Sequence, residues 1–401
     1  MKENFKKKVL ENGLTILFEK RDLPIASMAI AVKNGAINES LEEKGISHFI
    51  EHMLYKGTST RTNKEIAEEI EKNGGELNGF TSELVTAYWC KMPSNHLNVG
   101  LEVLADLVKN PLFDEKEIEK ERNVIFEEIK MYHDNPKMHA FHEIEKNLFS
   151  GSLSVSILGT KNTMKSLDKE KLVKRFERTY TPNNMIVCIV GDADFNEIVK
   201  FAQKNFGIKK GSVPKQKFGF KNSSRIETRK GIDQANILFA YHVPLLKNKK
   251  SYAARVLSTM IAEGMSSRLF SEIREKRNLA YAVKGDSDIN NSFAFNYIYV
   301  GTTKDKVKKV KELILNEFKD ISENLVEDEL NQVKEQIKGN HRIGLEDSQQ
   351  QMVNLLYAET NAKAELVYDF EENISNVRLE DVKEIAKKAY KEYSFFALVP
   401  E

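Results

Sequence analysis

In the segment ISHFIEHMLY, from Ile46, two histidines stand four residues apart and a glutamate directly precedes the second: His48, Glu51 and His52. Read as a helix at 100° per residue, Ile46, Phe49, Ile50, Met53 and Leu54 form one apolar arc, while His48, Glu51 and His52 share the opposite arc. Imidazoles at i and i+4 lie one turn apart on one face. They can hold a single divalent ion, with Glu51 beside them to move a proton. Two histidines on a solvated helix face that bind nothing are the plain alternative.

A catalytic zinc ion keeps three protein ligands and an open position, so a third ligand is needed. The helix DEKEIEKERNVIFEEIKMY, from Asp114, offers carboxylates. Its apolar arc is Ile118, Ile125, Ile129 and Tyr132. Glu121 and Glu128, two turns apart, flank that arc, and Glu127 points nearly the opposite way. Inward-leaning carboxylates are costly unless paired or bound to metal. Glu128 is therefore the candidate ligand, and Glu121 the candidate to hydrogen-bond a ligating imidazole. On helix geometry alone, ordinary ion pairs with lysines account for both glutamates equally well. His139 and His142, at i and i+3, lack a neighbouring base and are read as surface or packing residues, and His96, His133, His242 and His341 suggest no further site.

The elements that must position these residues occur twice. SMAIAVKNG from Ser27, a helix ending near Gly57, IAEEIEKNGG from Ile66 and TAYWCKMP from Thr86 are followed about 207 to 212 residues later by a like series. That series is NILFAYHV from Asn236, a helix ending near Gly264, SEIREKRN from Ser271 and FNYIYVG from Phe295. Long amphipathic helices follow in both copies, from Glu102 and Val307, and later ones are introduced by DEKEI and VEDEL. The expected fold is α+β: two duplicated domains, each a mostly antiparallel sheet with helices packed on one face. The boundary falls in the Lys/Gly/Ser/Pro-rich stretch 209–221, giving a metal-binding domain over 1–210 and a second over 211–401. At the duplicated positions Arg255 and Thr259 replace the histidines, Ser258 replaces Glu51, and Gln336 stands for Glu128. One metal ion per chain is expected, in the first half.

A chain of 401 residues with 61 Lys plus Arg against 60 Asp plus Glu is long enough for two cores and carries a net charge of +1. That balance gives no electrostatic case for nucleic acid or an anionic membrane. No signal-like or membrane-spanning apolar run is visible, so a soluble, cytoplasmic protein is expected. Cys90 and Cys188 sit in separate apolar stretches and read as buried thiols.

With these residues in hand, the chain resembles the pitrilysin, insulysin and mitochondrial processing peptidase family, whose metal motif is the inverted His-x-x-Glu-His. The resemblance runs from about Asn12 to the C-terminus. It is carried by GISHFIEHMLYKGT from Gly45, GGELNGFTSELVTAYW from Gly74, ERNVIFEEI from Glu121, ILGT from Ile157 and GMSSRLFSEIREKRNLAYAV from Gly264. The family's spacing from the second metal histidine to the metal glutamate, about 76 residues, lands from His52 on Glu128. One departure is SGSLSVSILGT from Ser150, where the family usually has His-Pro before the ILGT-like stretch.

The resemblance implies a zinc metallopeptidase with Glu51 as base, cutting unstructured oligopeptides in an enclosed chamber. It implies that Asn78, Gly79 and Phe80 line an edge strand to which a peptide adds, and that Arg274 and Tyr281 reach the substrate carbonyl. Members of this length resemble half of the long single-chain enzymes, so two copies are expected to close as a homodimer. The alternative from another class is a non-catalytic subunit or peptide-binding scaffold, whose usual sign is a damaged metal motif. Here His48, Glu51, His52 and Glu128 are all present.

Overall fold

A computed structural model describes residues 2–401 and divides the chain into two compact units. The first comprises Met1–Lys130, Gly151–Lys217 and Gly344–Tyr368; the second comprises Met131–Ser150, Phe218–Ile343 and Asp369–Glu401. The exchange point at 217/218 lies inside the stretch read from sequence as the boundary. Two further segments are traded: 131–150 packs with the second unit, and 344–368 with the first. Contiguous domains of 1–210 and 211–401 therefore differ from the packing units by those two segments and by 211–217, which belongs with the first unit.

The first unit holds a six-stranded sheet in the order Phe5–Val9, Thr15–Lys20, Met185–Gly191, Ile25–Val32, Thr86–Pro93, Glu76–Thr81. The second holds a five-stranded sheet in the order Ser224–Arg229, Ser394–Pro400, Ala235–His242, Ala294–Thr302, Ala280–Ile289. Each sheet is antiparallel except for one pairing, Thr15–Lys20 with Met185–Gly191 in the first and Ser224–Arg229 with Ser394–Pro400 in the second. The five-strand order thus repeats strand for strand, the first unit adding Phe5–Val9 at one edge. The duplication seen in the sequence is a duplication of topology.

The α+β class holds, and the layering is fuller than helices on one face. In the strand MIVCIVG, Met185, Val187 and Ile189 enter one core and Ile186, Cys188 and Val190 another, so the strand reads as an unbroken apolar run. The first core lies under the helices Ile46–Leu54, Leu97–Lys109 and Glu115–Asp134. The second is closed by one helix, Ser348–Asn361, through Met352, Leu355 and Leu356. In the second unit the helix Pro136–Leu148 plays the matching part against Ala235–His242 and Ser394–Pro400. It starts at Asn135, whose side chain accepts from the amides of Lys137 and Met138, with Pro136 at the first helical position. Each traded segment is therefore the helix that covers the otherwise bare face of a sheet.

Cys90 and Cys188 are free and buried, on opposite faces of the first sheet, and burial pushes the Cys90 thiol up to about 12. Among the described residues no helix is long and apolar enough to cross a membrane.

If Ser348–Asn361 closes the second core, Leu355→Ala should cost about 2–5 kcal/mol, since Leu355 is fully buried there. Gln350→Ala, on the exposed side of the same helix, should stay within about 0.5 kcal/mol. Urea unfolding of both variants checks this.

Candidate metal centre

The helix Ile46–Leu54 begins at Gly45, which adopts φ 92° and is tucked so closely that a Cβ would lie 2.7 Å from the Leu158 carbonyl oxygen. No side chain of the capping residue serves the first turn. The buried carboxylate of Glu39 does so, accepting from the amides of Gly45 at 2.9 Å and Ser47 at 2.8 Å. A carboxylate there also complements the positive end of the helix. The ammonium of Lys44, itself buried, lies 3.8 Å from Glu39. The start of the helix is thus fixed, and with it the rotation of His48 and His52.

The helix Glu115–Asp134 is held against it by Ile118 and Ile125, which share the core of Phe49, Ile50 and Met53. Arg122, also buried, lies over the Phe49 ring at 5.3 Å and donates to the Met164 carbonyl. This clamp between the two helices was not foreseen from sequence, where Arg122 reads as one charge in a charged run.

Between these helices the Glu128 carboxylate lies 3.5 Å from His48 Nε2 and 3.8 Å from His52 Nε2. Both distances exceed ordinary hydrogen-bond length, so the three groups converge without satisfying one another. Among the described residues this trio is the one group able to hold a metal ion, with ligand atoms all within 4.8 Å. His52 Nδ1 donates to Glu121 Oε2 at 3.0 Å, which leaves Nε2 as the lone-pair nitrogen on the Glu128 side. Glu121 is tied in turn to Lys56 Nζ at 2.7 Å. Glu127 is exposed, as the helix rotation predicted.

The electrostatics suit a cation. Burial, with the neighbouring His52, lowers His48 from 6.5 to about 3, keeping the imidazole neutral as a metal ligand must be. Burial raises the carboxyls of Glu51 and Glu128. It also raises Glu121, but the hydrogen bonds from His52 and Lys56 outweigh it and leave Glu121 below its usual value. Two imidazoles and one carboxylate form a donor set that fits zinc with an open position, with the Glu51 carboxylate beside it and outside the set.

Glu51, nearly buried, faces the edge strand Glu76–Thr81. Its Oε2 accepts from Thr81 Oγ1 at 2.7 Å, and its Oε1 lies near Gly79, where a Cβ would stand 3.2 Å away. Thr81 was not singled out from sequence; the one signal was its place two residues after Gly79 on the same strand. The strand pairs on one side only, with Thr86–Pro93, so its other edge is open. Asn78 is exposed and its Oδ1 accepts from the Gly79 amide at 2.8 Å. Phe80 points to the opposite face and stacks on Tyr357 at 6.0 Å. Of the three residues expected to line this edge, Phe80 is therefore committed to packing by its side chain.

Arg274 and Tyr281 lie in the second unit, both exposed. The Arg274 guanidinium sits 4.8 Å over Phe270, and the Tyr281 ring lies so close to Gly301 that a Cβ there would meet its Cζ at 2.3 Å. His139 is buried and bonded to Glu227 at 2.9 Å.

A mostly antiparallel sheet with an open edge, backed by a helix carrying two imidazoles and a carboxylate, frames the group able to hold a metal ion. Residues 15–161 match the family described as Insulinase (Peptidase family M16), and residues 166–337 match its partner domain, described as Peptidase M16 inactive domain. A curated relative from Bacillus subtilis, described as an uncharacterized zinc protease, is 31% identical over 408 residues, covering 98% of each chain. Another so described, from Rickettsia felis, is 34% identical over 349 residues, covering 85% of this chain and 84% of that one. The crystal structure of a protease from Helicobacter pylori shares the fold at TM-score 0.92 with 21% identity, covering 99% of both chains. The peptidase M16 inactive domain from Pseudomonas fluorescens does so at 0.89 with 18% identity, covering 99% of this chain and 98% of that one. The chain belongs to the M16 peptidase family, in its short form with both domain types in one polypeptide.

Glu121→Gln should weaken zinc affinity about 10- to 100-fold, and His52→Ala should abolish it; competition against a chromophoric chelator reads both. In the metal-free protein, His48 in the folded chain titrates at about 3, below its ordinary 6.5. As pH falls below 6.5 the unfolded chain takes up a proton that the folded chain refuses, so stability declines towards pH 3. His48→Gln should lessen the drop in urea midpoint between pH 7 and about 5.

Proposed function

We propose that this protein is a zinc metalloendopeptidase that hydrolyses unstructured oligopeptides, with one zinc ion per chain held by His48, His52 and Glu128. The observation that carries the reading is the position of Glu51. It is a buried carboxylate next to the converging trio, hydrogen-bonded to the open edge strand of the sheet. An extended peptide is the ligand whose backbone completes such an edge, pairing its own amides and carbonyls with the free side of Glu76–Thr81. Asn78 and Gly79 are assigned to that pairing, the Asn78 side chain giving up the Gly79 amide to the incoming strand.

When bound, zinc supplies a Lewis acid and a water acidic enough to ionise near neutral pH. Glu51 accepts the proton of the attacking water and later returns it to the leaving amine. His52 is held in the required tautomer by Glu121. Arg274 and Tyr281, both exposed, are assigned to the substrate carbonyl as charge develops on its oxygen. The second unit has Arg255, Ser258, Thr259 and Gln336 where the metal residues would stand, and no imidazole or carboxylate among them. This agrees with the name inactive domain borne by the family matching residues 166–337.

We assign the working form to a homodimer enclosing a chamber, since one chain carries both the metal residues and the Arg274/Tyr281 pair and needs no different partner to supply either. An enclosed site admits flexible chains and excludes folded ones.

Purified protein should cleave a mixed library of unstructured peptides, while Glu51→Gln binds zinc equally well and turns over at least about 100-fold more slowly. Zinc in both proteins with cleavage by neither would favour a non-catalytic peptide-binding subunit. Light scattering at assay concentration should give twice the 45.9 kDa chain mass; monomer alone would exclude the dimer.

A further inference from the structure

We propose that Thr81 is a positioning residue for Glu51, fixing which carboxylate oxygen is free to exchange the proton. The proposal rests on the peptidase reading and assigns a role to a residue outside the metal motif.

A glutamate carboxylate turns easily about its last torsion, which has broad, roughly two-fold preferences. Unrestrained, Glu51 would present either oxygen in a range of planes. In this structure one orientation is selected. Thr81 Oγ1 donates to Oε2 at 2.7 Å, and the Thr81 side chain is itself buried, so water does not compete freely for the bond. The other oxygen, Oε1, is turned towards Gly79, in the space left by the missing side chain: a Cβ there would lie 3.2 Å from Oε1 and 2.4 Å from Tyr55 Oη. Residues two apart on a strand share a face, so Gly79 and Thr81 both face the helix of Glu51. One vacates the space beside the working oxygen, and the other holds the idle one.

The strand bearing both residues is also the open edge of the sheet. A peptide paired with this edge has its backbone register set by Glu76–Thr81, and the base takes its orientation from the same strand. Peptide and base are thereby referenced to one rigid element, which limits the misplacement that costs rate.

The second unit shows the same frame without the pair. The rung Val32, Thr86, Thr81 of the first sheet corresponds to Tyr241, Asn296, Ser287 of the second. Ser287 stands for Thr81 and Ser258 for Glu51, so the hydroxyl persists where no carboxylate remains to be held.

The test uses full-length protein with Thr81→Val, which keeps the shape and removes the hydroxyl, and Thr81→Ser, which keeps the hydroxyl. For Thr81→Val, kcat on a fluorogenic peptide should fall about 10- to 100-fold with KM within about twofold. Zinc content should stay unchanged. In a Glu51→Gln background, which binds without cutting, Thr81→Val should leave peptide affinity unchanged. Thr81→Ser should recover kcat to within about threefold of the parent. An active parent with Thr81→Val equally active would overturn the positioning role alone, as would a loss of zinc or of peptide affinity in place of kcat, or Thr81→Ser no better than valine. A parent that holds zinc yet cuts no peptide would defeat the peptidase reading, and the proposal with it.

Discussion

Glu51, Glu128 and His48 are withdrawn from water within one small region, and burial works against a charge on each of them. A carboxylate moved into such surroundings either takes a proton or finds a cation. Here the nearest groups, the two imidazoles, stand just beyond hydrogen-bond length from Glu128. The region is therefore short of positive charge, which suits its donors to a cation. The surrounding packing can be understood as the means of keeping these groups close without letting them neutralise one another.

Two helices must be held at fixed rotation and spacing for that to work. Glu39 and Gly45 set the start of one, through hydrogen bonds to its first amides and a backbone conformation that has no room for a side chain. Arg122 and the shared apolar core hold the other against it. Catalytic geometry tolerates errors well under an ångström, which loops rarely meet and buried helices do.

The repeated topology separates what the fold needs from what the chemistry needs. Both sheets have the same five-strand order, and each has a helix from a traded segment over its second face. Yet one unit carries the ligand trio and the other carries Arg255, Thr259 and Gln336 in its place. In this chain the scaffold is present twice and, among the described residues, the group able to hold a metal ion is present once.

The sequence by itself placed His48, Glu51 and His52 on one face through their spacing and turned Glu128 100° away from Glu127, because helical rotation is a local property; that His48, His52 and Glu128 converge is decided by the packing of the two helices. The sequence also determined the duplication and the α+β class, which depend on the order and periodicity of elements. Only the tertiary structure decided the contacts made across long stretches of chain. Arg122 over Phe49, Thr81 on Glu51, and the trading of 131–150 and 344–368 between units join residues that no local pattern links. Phe80 shows the same limit within one strand: alternation puts its side chain opposite Gly79, but that the opposite face is filled by Tyr357 is a fact of packing. Local periodicity fixes which way a side chain leaves the backbone, and the assembled core decides what it meets there.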